Sequence, residues 1–168
     1  MKYKLKSIAQ FAEIFGGIAI LISLIFVGIQ FKENTKATKS ANASATVATL
    51  ANWYVEIGNN NASSDLFYNF MADPDTLTPE QRFQAVMICH GLFIILQNSF
   101  YLVKEGTLDS EMQNSLTSAI LGAVDQPGFK FFWEQRKSIY FKDFRLYIED
   151  LINNGKPVKS IFKDISKE

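Results

Sequence analysis

The chain has 168 residues, of which 48% are hydrophobic and 20% charged, a composition that fits one ordinary folded domain and excludes a disordered chain. Its single cysteine, Cys89, excludes an internal disulfide. Residues 1–40 carry six lysines against two glutamates, so the rest of this neutral chain is net acidic, which argues against a nucleic-acid partner because phosphate contacts need clustered Lys and Arg.

A long apolar run, IFGGIAILISLIFVGIQF, occupies residues 14–31 and contains no charge and no proline. A helix needs about 20 apolar residues to cross a hydrocarbon core of about 30 Å, and Phe11 and Ala12 extend this run toward that length. We therefore predict a basic N-terminal tail over residues 1–10 and a transmembrane helix over residues 11–31, with the lipid bilayer as a partner.

Two other interpretations of this run stay open. A cleaved signal peptide usually has an apolar stretch of about 7–15 residues, shorter than this one, and the A-x-A pattern at residues 43–45 lies well beyond the run. A buried core helix of a soluble protein is the second, but such a helix is usually shorter. Charge does not fix the orientation of a span, since three lysines precede the run and three follow it.

Small residues form a stripe along the predicted span at Ala12, Gly16, Ala19 and Ser23. Their spacings of four, three and four place them on one side of a helix, and in lipid such a stripe lets a second helix approach closely. We expect helix–helix packing here, with a second copy or with another membrane protein. Small residues are also common in spanning helices that have no such contact.

Residues 32–60 are rich in alanine and lack proline. Alanines at positions 37, 41, 45 and 48 recur at helical spacing, which predicts that the spanning helix continues into a long stalk helix with a narrow apolar face. The helix should end near Gly58, where the asparagines that follow favour a left-handed cap. A flexible Ala/Ser/Thr linker is the alternative.

Residues 61–155 are predicted to form a small bundle of about five helices, and residues 156–168 a loosely ordered tail. The helices are expected near residues 64–72, 79–103, 108–124, 129–140 and 142–152. The clearest start signal is Thr78, Pro79 and Gln81, which supply a cap, a first-position proline and a capping box. The centre of the second helix, VMICHGLFIILQ, is apolar nearly all round, which predicts the most buried helix. We expect no second span there, because Arg82 and His90 interrupt the run.

The chain is poor in residues that catalyse reactions or bind metals. His90 is the only histidine and it adjoins the only cysteine, whereas a structural zinc site needs about four ligands and a catalytic site usually needs several groups in reach. We predict a hydrogen-bonded structural His90 and a buried thiol at Cys89. The acidic residues Asp109 and Glu111 are explained by a helix cap and a helix first turn. No catalytic site, cofactor or metal is therefore expected.

The most unusual segment is FKFFWEQRKSIYFKDFRLY, residues 129–147, in which aromatic residues alternate with basic ones. Three interpretations fit it: ordinary core with charges on the solvent side, a helix lying on the membrane surface, or a face that binds a protein partner. The residues of this candidate interaction face are Phe129, Phe132, Trp133, Arg136, Tyr140 and Phe144.

The segments GIQFKENTKATK, EGTLDSE and PGFKFFWEQRKSIYFKDF resemble, over most of the chain, a family of small bacterial single-pass membrane proteins for which no activity is established. The resemblance implies an N-terminal transmembrane helix, a helical domain and no catalytic residues. It also implies a cytoplasmic domain, because in the family the basic charge lies mainly after the span. The lysines at positions 2, 4 and 6 depart from that pattern and leave the orientation open.

Together these features predict an all-α protein of the bacterial inner membrane, with its domain on the cytoplasmic side. The leading hypothesis is a non-enzymatic accessory or scaffold subunit that acts through helix–helix and aromatic contacts. The alternative is a sensor that binds a small apolar molecule between the domain helices. A cavity lined by Phe93, Phe100 and Trp133 would favour that alternative, and a well-packed interior would oppose it.

Overall fold

A computed structural model describes residues 2–156, 158, 160 and 162 of the chain, with side chains from residue 10 onward. In these residues the fold is all-α, without a strand, as predicted. The six helices are α1 Lys2–Gly58, α2 Asn61–Ala72, α3 Pro79–Lys104, α4 Ser110–Leu121, α5 Pro127–Arg136 and α6 Lys142–Asn154. The N-terminal helix is long and five shorter helices follow it, which confirms the predicted fold class.

The chain divides into two compact units, Met1–Ser40 and Ala41–Glu168, and α1 contributes residues to both. In the first unit, every apolar side chain from residue 11 to residue 31 is exposed. The most apolar window of α1, within Gln10–Gly58, has a mean hydropathy of 2.4 and no buried residue. The first unit therefore presents an apolar helix surface that is uncovered by the described part of the chain.

The C-terminal third of α1 belongs to the second unit and packs with its helices. Thr46 and Leu50 are buried, and the Trp53 indole N–H donates to the carbonyl of Ile88 in α3 at 3.0 Å. The compact helical unit thus begins at Ala41, within the segment predicted as the stalk. The part of the predicted stalk that lies outside this unit is residues 32–40.

The packing face of α1 differs from the one that its alanines predict. Ala41, Ala45 and Ala48 are exposed, whereas Thr46 and Leu50 are buried. Thr46 Oγ1 donates to the Asn42 carbonyl at 2.8 Å, so the buried hydroxyl has a hydrogen-bond partner. Larger side chains bury more apolar surface than alanine does, and they decide which side of the helix faces the core.

The α1–α2 junction ends α1 at Gly58, as predicted, but without the predicted left-handed cap. No non-glycine residue in the described part of the chain has a positive φ, and neither does Gly58. Asn60 instead caps the next helix in extended conformation, its Oδ1 accepting from the Ser63 N–H at 3.1 Å. This N-cap gives a hydrogen-bond partner to a backbone N–H in the first turn of α2 that would otherwise have none. α2 begins at Asn61 instead of about residue 64.

α3 opens with the predicted capping box. The Thr78 hydroxyl accepts from the Gln81 backbone N–H at 3.3 Å, and the Gln81 side chain accepts from the Thr78 N–H at 2.9 Å. By length and composition, α3 is also apolar enough to cross a membrane, although Arg82 and His90 lie within it. Core helices of soluble proteins meet the same criterion, and Cys89 and Phe93 of α3 are buried in the second unit.

The remaining helices surround the same core. Asp109 caps α4 as predicted, its carboxylate accepting from the Glu111 N–H at 2.8 Å. α5 begins at Pro127, and its residue Gly128 lies against the backbone of α2. The predicted loose tail falls outside the described residues except at positions 156, 158, 160 and 162, and there the Phe162 ring lies 6.3 Å from that of Phe67 in α2.

Candidate functional site: an aromatic core and its cavity

The candidate interaction face predicted from residues 129–147 lies in the core. Five of its six residues, Phe129, Phe132, Trp133, Tyr140 and Phe144, are no more than 5% exposed. Arg136 alone is half-buried. Buried side chains offer no surface to a partner or to a bilayer. These residues therefore belong to the core, which is the first of the three interpretations. The basic residues Lys130, Lys142 and Arg145 lie toward solvent or at its edge.

These rings are arranged around Phe93 of α3. The Phe93 ring centroid lies 4.9 Å from that of Phe132, 5.5 Å from that of Trp133 and 5.8 Å from that of Tyr140. Trp133 and Tyr140 stack with an interplanar angle of 11°. Aromatic pairs at these separations add stability beyond the area that they bury, so this cluster fixes α5 and the start of α6 against α3.

His90 and Tyr140 form the only polar pair within this cluster in the described residues: His90 Nδ1 lies 2.8 Å from the Tyr140 hydroxyl. This contact confirms the prediction that His90 is hydrogen-bonded. Burial lowers the pKa of His90, and the positive charge of Arg136 lowers it further. Burial also raises the pKa of Tyr140 well above its usual range. Both rings are therefore neutral at neutral pH and hold each other in place.

Cys89 is buried beside His90, as predicted. Burial raises the pKa of its thiol to about 12, so the reactive thiolate is scarce at neutral pH. Among the described residues no group of three or more His, Cys, Asp or Glu side chains is placed to hold a metal ion. The polar groups near this core are thus suited to structure and packing.

An apolar cavity of about 100 Å³ opens within the second unit. It lies between the end of α1 and helices α2 to α5, next to the aromatic cluster. Its lining consists of Trp53, Tyr54, Phe67, Met71, Cys89, Leu92, Phe93, Ala119, Ile120, Ala123, Phe129, Phe132 and Phe162. The Trp53 N–H is already bonded to Ile88, so this lining offers a ligand mainly hydrocarbon and ring faces.

The lining only partly matches the residues named as those of a cavity that would favour a ligand-binding sensor. Phe93 lines it, but Trp133 does not, and Phe100 packs elsewhere, 5.2 Å from the ring of Tyr147. The lining also includes Trp53 and Phe67, which were not predicted to line a cavity; their rings meet edge to face with centroids 5.7 Å apart. A tryptophan near the end of the predicted stalk was the available signal, since a free stalk has no core in which to place its ring.

The predicted packing stripe lies on the exposed part of α1. Ala12, Gly16, Ala19 and Ser23 are all exposed, and a Cβ built on Gly16 would meet no atom within 4 Å. The Ser23 hydroxyl donates to the Ala19 carbonyl at 2.9 Å, so the stripe presents no unpaired donor. Within the described residues this surface is open to close approach by another helix.

No protein-family model matches the chain, and neither a curated protein nor a solved structure matches it. The fold and its contacts therefore define the class on their own: an all-α domain with a small apolar cavity, preceded by a long apolar helix. By length and composition α1 could cross a membrane, and a signal sequence near an N-terminus meets the same criterion.

Proposed function

We propose that this protein is a non-enzymatic, single-pass membrane protein whose helical domain binds a small apolar molecule. The observation that carries this proposal is the apolar cavity of about 100 Å³ beside the aromatic cluster. The burial of the predicted interaction face supports it further, because it removes the main support for a scaffold that uses those aromatic residues.

The membrane anchor in this proposal rests on the exposed apolar surface of residues 11–31. Such a continuous surface is costly in water and is stable in hydrocarbon, where a helix satisfies all its backbone hydrogen bonds internally. We place the domain on the cytoplasmic side of the bacterial inner membrane, as the family resemblance implies; the three lysines before the run and the three after it do not decide the orientation. An uncleaved span predicts that the intact mass of the membrane-extracted protein includes residues 1–31.

The chemistry of the lining defines the ligand in this proposal. An engineered apolar cavity of about 150 Å³ stays dry and binds benzene or xenon, whereas pockets for drug-sized ligands measure about 300–1,000 Å³. A cavity of about 100 Å³ therefore suits a compact apolar molecule or the apolar end of a longer one. Because the Trp53 N–H is engaged, a ligand with polar groups would lose hydrogen bonds to water without replacing them.

Benzene binding by the full-length protein in lipid nanodiscs tests the ligand proposal. We expect benzene to raise the unfolding temperature, because a ligand that binds only the folded state stabilises it. The variant Ala123→Leu fills the cavity and should abolish that increase, whereas Ala48→Leu adds the same volume at an exposed site and should retain it. An equal benzene response in all three proteins would reflect partitioning into lipid and would refute the proposal.

A second candidate function, the accessory or scaffold subunit, is favoured by the open stripe at Ala12, Gly16, Ala19 and Ser23. Helices in lipid associate through close packing at such stripes. Chemical cross-linking in native membranes should then yield a dimer or a stoichiometric partner. Gly16→Leu should remove it, and Gly17→Leu, one residue round the helix, should leave it intact. A monomer without a partner in mild detergent would rule out this candidate.

A further inference from the structure

A groove of about 380 Å³ runs between the start of α3 and the end of α5, and it shares no residue with the apolar cavity. Its lining residues are Pro79, Arg82, Phe83, Val86, Met87, Phe131, Gln135 and Arg136. Arg82 and Val86 are four residues apart on α3, as are Phe131 and Gln135 on α5, so each helix turns one face toward the groove. The groove therefore combines an apolar floor with two guanidinium groups.

Arg136 supplies one positive charge at this groove. Its Nε is buried without a hydrogen-bond partner, and Arg136 forms no ion pair with any residue whose side chain the structure describes. Nε itself is closed to solvent, so it cannot bond to a ligand in the open groove, but it leaves the Arg136 charge uncompensated within the described residues. The guanidinium also presents further N–H donors in a fixed fork that matches a carboxylate or phosphate.

Arg82 contributes a second positive charge whose own ion pair is weak. Its guanidinium lies 3.6 Å from Asp75, whose side chain is 85% exposed. An exposed pair at that separation contributes little, so Arg82 can turn toward an anion in the groove at little cost. Two guanidinium groups on one groove give it a positive charge within a domain that is net acidic.

The groove also exposes apolar surface beside its positive charges. Phe83 is 65% exposed, although it is a large ring beside buried Val86. An exposed aromatic residue at a groove commonly marks a binding surface, since burying it in a complex removes apolar area from water. A bare inorganic anion would leave this surface uncovered, and a neutral hydrocarbon would leave the charge of Arg136 without a counter-ion.

We propose that this groove binds an amphiphilic carboxylate with a single aliphatic chain. The carboxylate accepts from the guanidinium of Arg136 and is attracted by Arg82, and the chain covers Phe83, Met87 and Phe131. This site and the cavity are independent, so the benzene experiment and the experiment below can fail separately.

The test uses the full-length protein in nanodiscs and a long-chain carboxylate that carries a photoreactive diazirine on its chain. After irradiation, the modified peptides are identified by mass spectrometry. We expect labels on residues that line the groove, and we expect octanoate to compete with the label. Octanol has the same chain without the charge, and acetate has the charge without the chain, so neither should compete at the same concentration.

The variant Arg136→Gln should weaken octanoate competition about tenfold, the size of one charge-assisted hydrogen bond. Lys130→Gln removes a charge from an exposed site on the same helix and should leave competition unchanged. Equal competition by octanol or by acetate, or labelling confined to other regions, would overturn the proposal. The wild-type competition series keeps the proposal falsifiable even where Arg136→Gln does not fold.

Discussion

Gly128 in the first turn of α5 lies directly against the backbone of Phe70 in α2. A Cβ built on Gly128 would lie 2.7 Å from the carbonyl carbon of Phe70 and 2.8 Å from the Cα of Met71. Backbone atoms cannot move aside as a flexible side chain can, so only glycine lets these two helices approach so closely. The contact brings α2 and α5 together at one side of the aromatic core.

The first prediction concerns this contact. Gly128→Ala should destabilise the protein by about 3 kcal/mol, because overpacking that forces two helices apart exceeds the gain of up to about 1 kcal/mol in helix propensity. Gly58→Ala is the matched control, since a Cβ there would meet no atom within 4 Å. Chemical unfolding of both variants should show a large loss for Gly128→Ala and almost no change for the control. Equal stabilities would show that α2 and α5 are not in contact at Gly128.

The second prediction concerns the attachment of α1 to the domain. Trp53→Phe removes the 3.0 Å hydrogen bond to the Ile88 carbonyl and part of the ring packing. We expect the free energy of unfolding to fall by about 1–2 kcal/mol. The bond joins α1 to α3, so its loss weakens that attachment, and the effect stays modest because the Trp53 ring is only partly buried. Tyr54→Phe, at the exposed neighbouring position, should cost much less. A stalk free of the domain would make both variants neutral.

The third prediction is a pH dependence that arises from His90. Its folded-state pKa lies below the ordinary value of 6.5, because burial and Arg136 disfavour the imidazolium ion. As the pH falls through that ordinary value, the unfolded chain therefore takes up a proton at His90 before the folded chain does. The stability that neutral His90 contributes is complete above this range, declines below it, and levels off once the folded-state pKa has been passed.

The variant His90→Gln isolates this contribution from the titration of carboxylates. We expect the stability difference between wild type and variant to shrink when unfolding is measured at about pH 5 instead of about pH 7.5. Tyr140→Phe should weaken the same pair by removing the hydroxyl that lies 2.8 Å from His90 Nδ1. A difference that stays constant over this range would contradict a lowered pKa of His90.

Local signals in the sequence predicted the helices and their caps. The capping box of Thr78 and Gln81 and the cap at Asp109 depend on residues two or three positions apart, so both follow from spacing. The long apolar helix at the N-terminus likewise follows from one unbroken run. The left-handed cap after Gly58 was wrong because an asparagine serves equally well as an N-cap, and Asn60 takes that role for α2.

Contacts between residues that are far apart in the chain could not be predicted from the sequence. The Trp53–Ile88 bond joins residues 35 apart, and the Asn42 side chain donates to the Thr107 carbonyl 65 residues away. Nothing in the local pattern around Trp53 indicates which helix it meets. The alternation of rings and charges after Phe129 is equally compatible with a core and with a contact surface, and only the packing on Phe93 decides between them.

The last prediction uses Cys89 as a probe of the cavity that it lines. Burial raises its pKa to about 12, so at mildly alkaline pH the thiolate is far scarcer than for an ordinary cysteine. Iodoacetamide should therefore modify folded protein at least about a hundredfold more slowly than it modifies Ser44→Cys in a Cys89→Ala background, since Ser44 is exposed. Denaturant should equalise the two rates. Rapid modification of folded Cys89 would mean that water enters the cavity readily, and it would exclude the dry apolar site on which the proposed function rests.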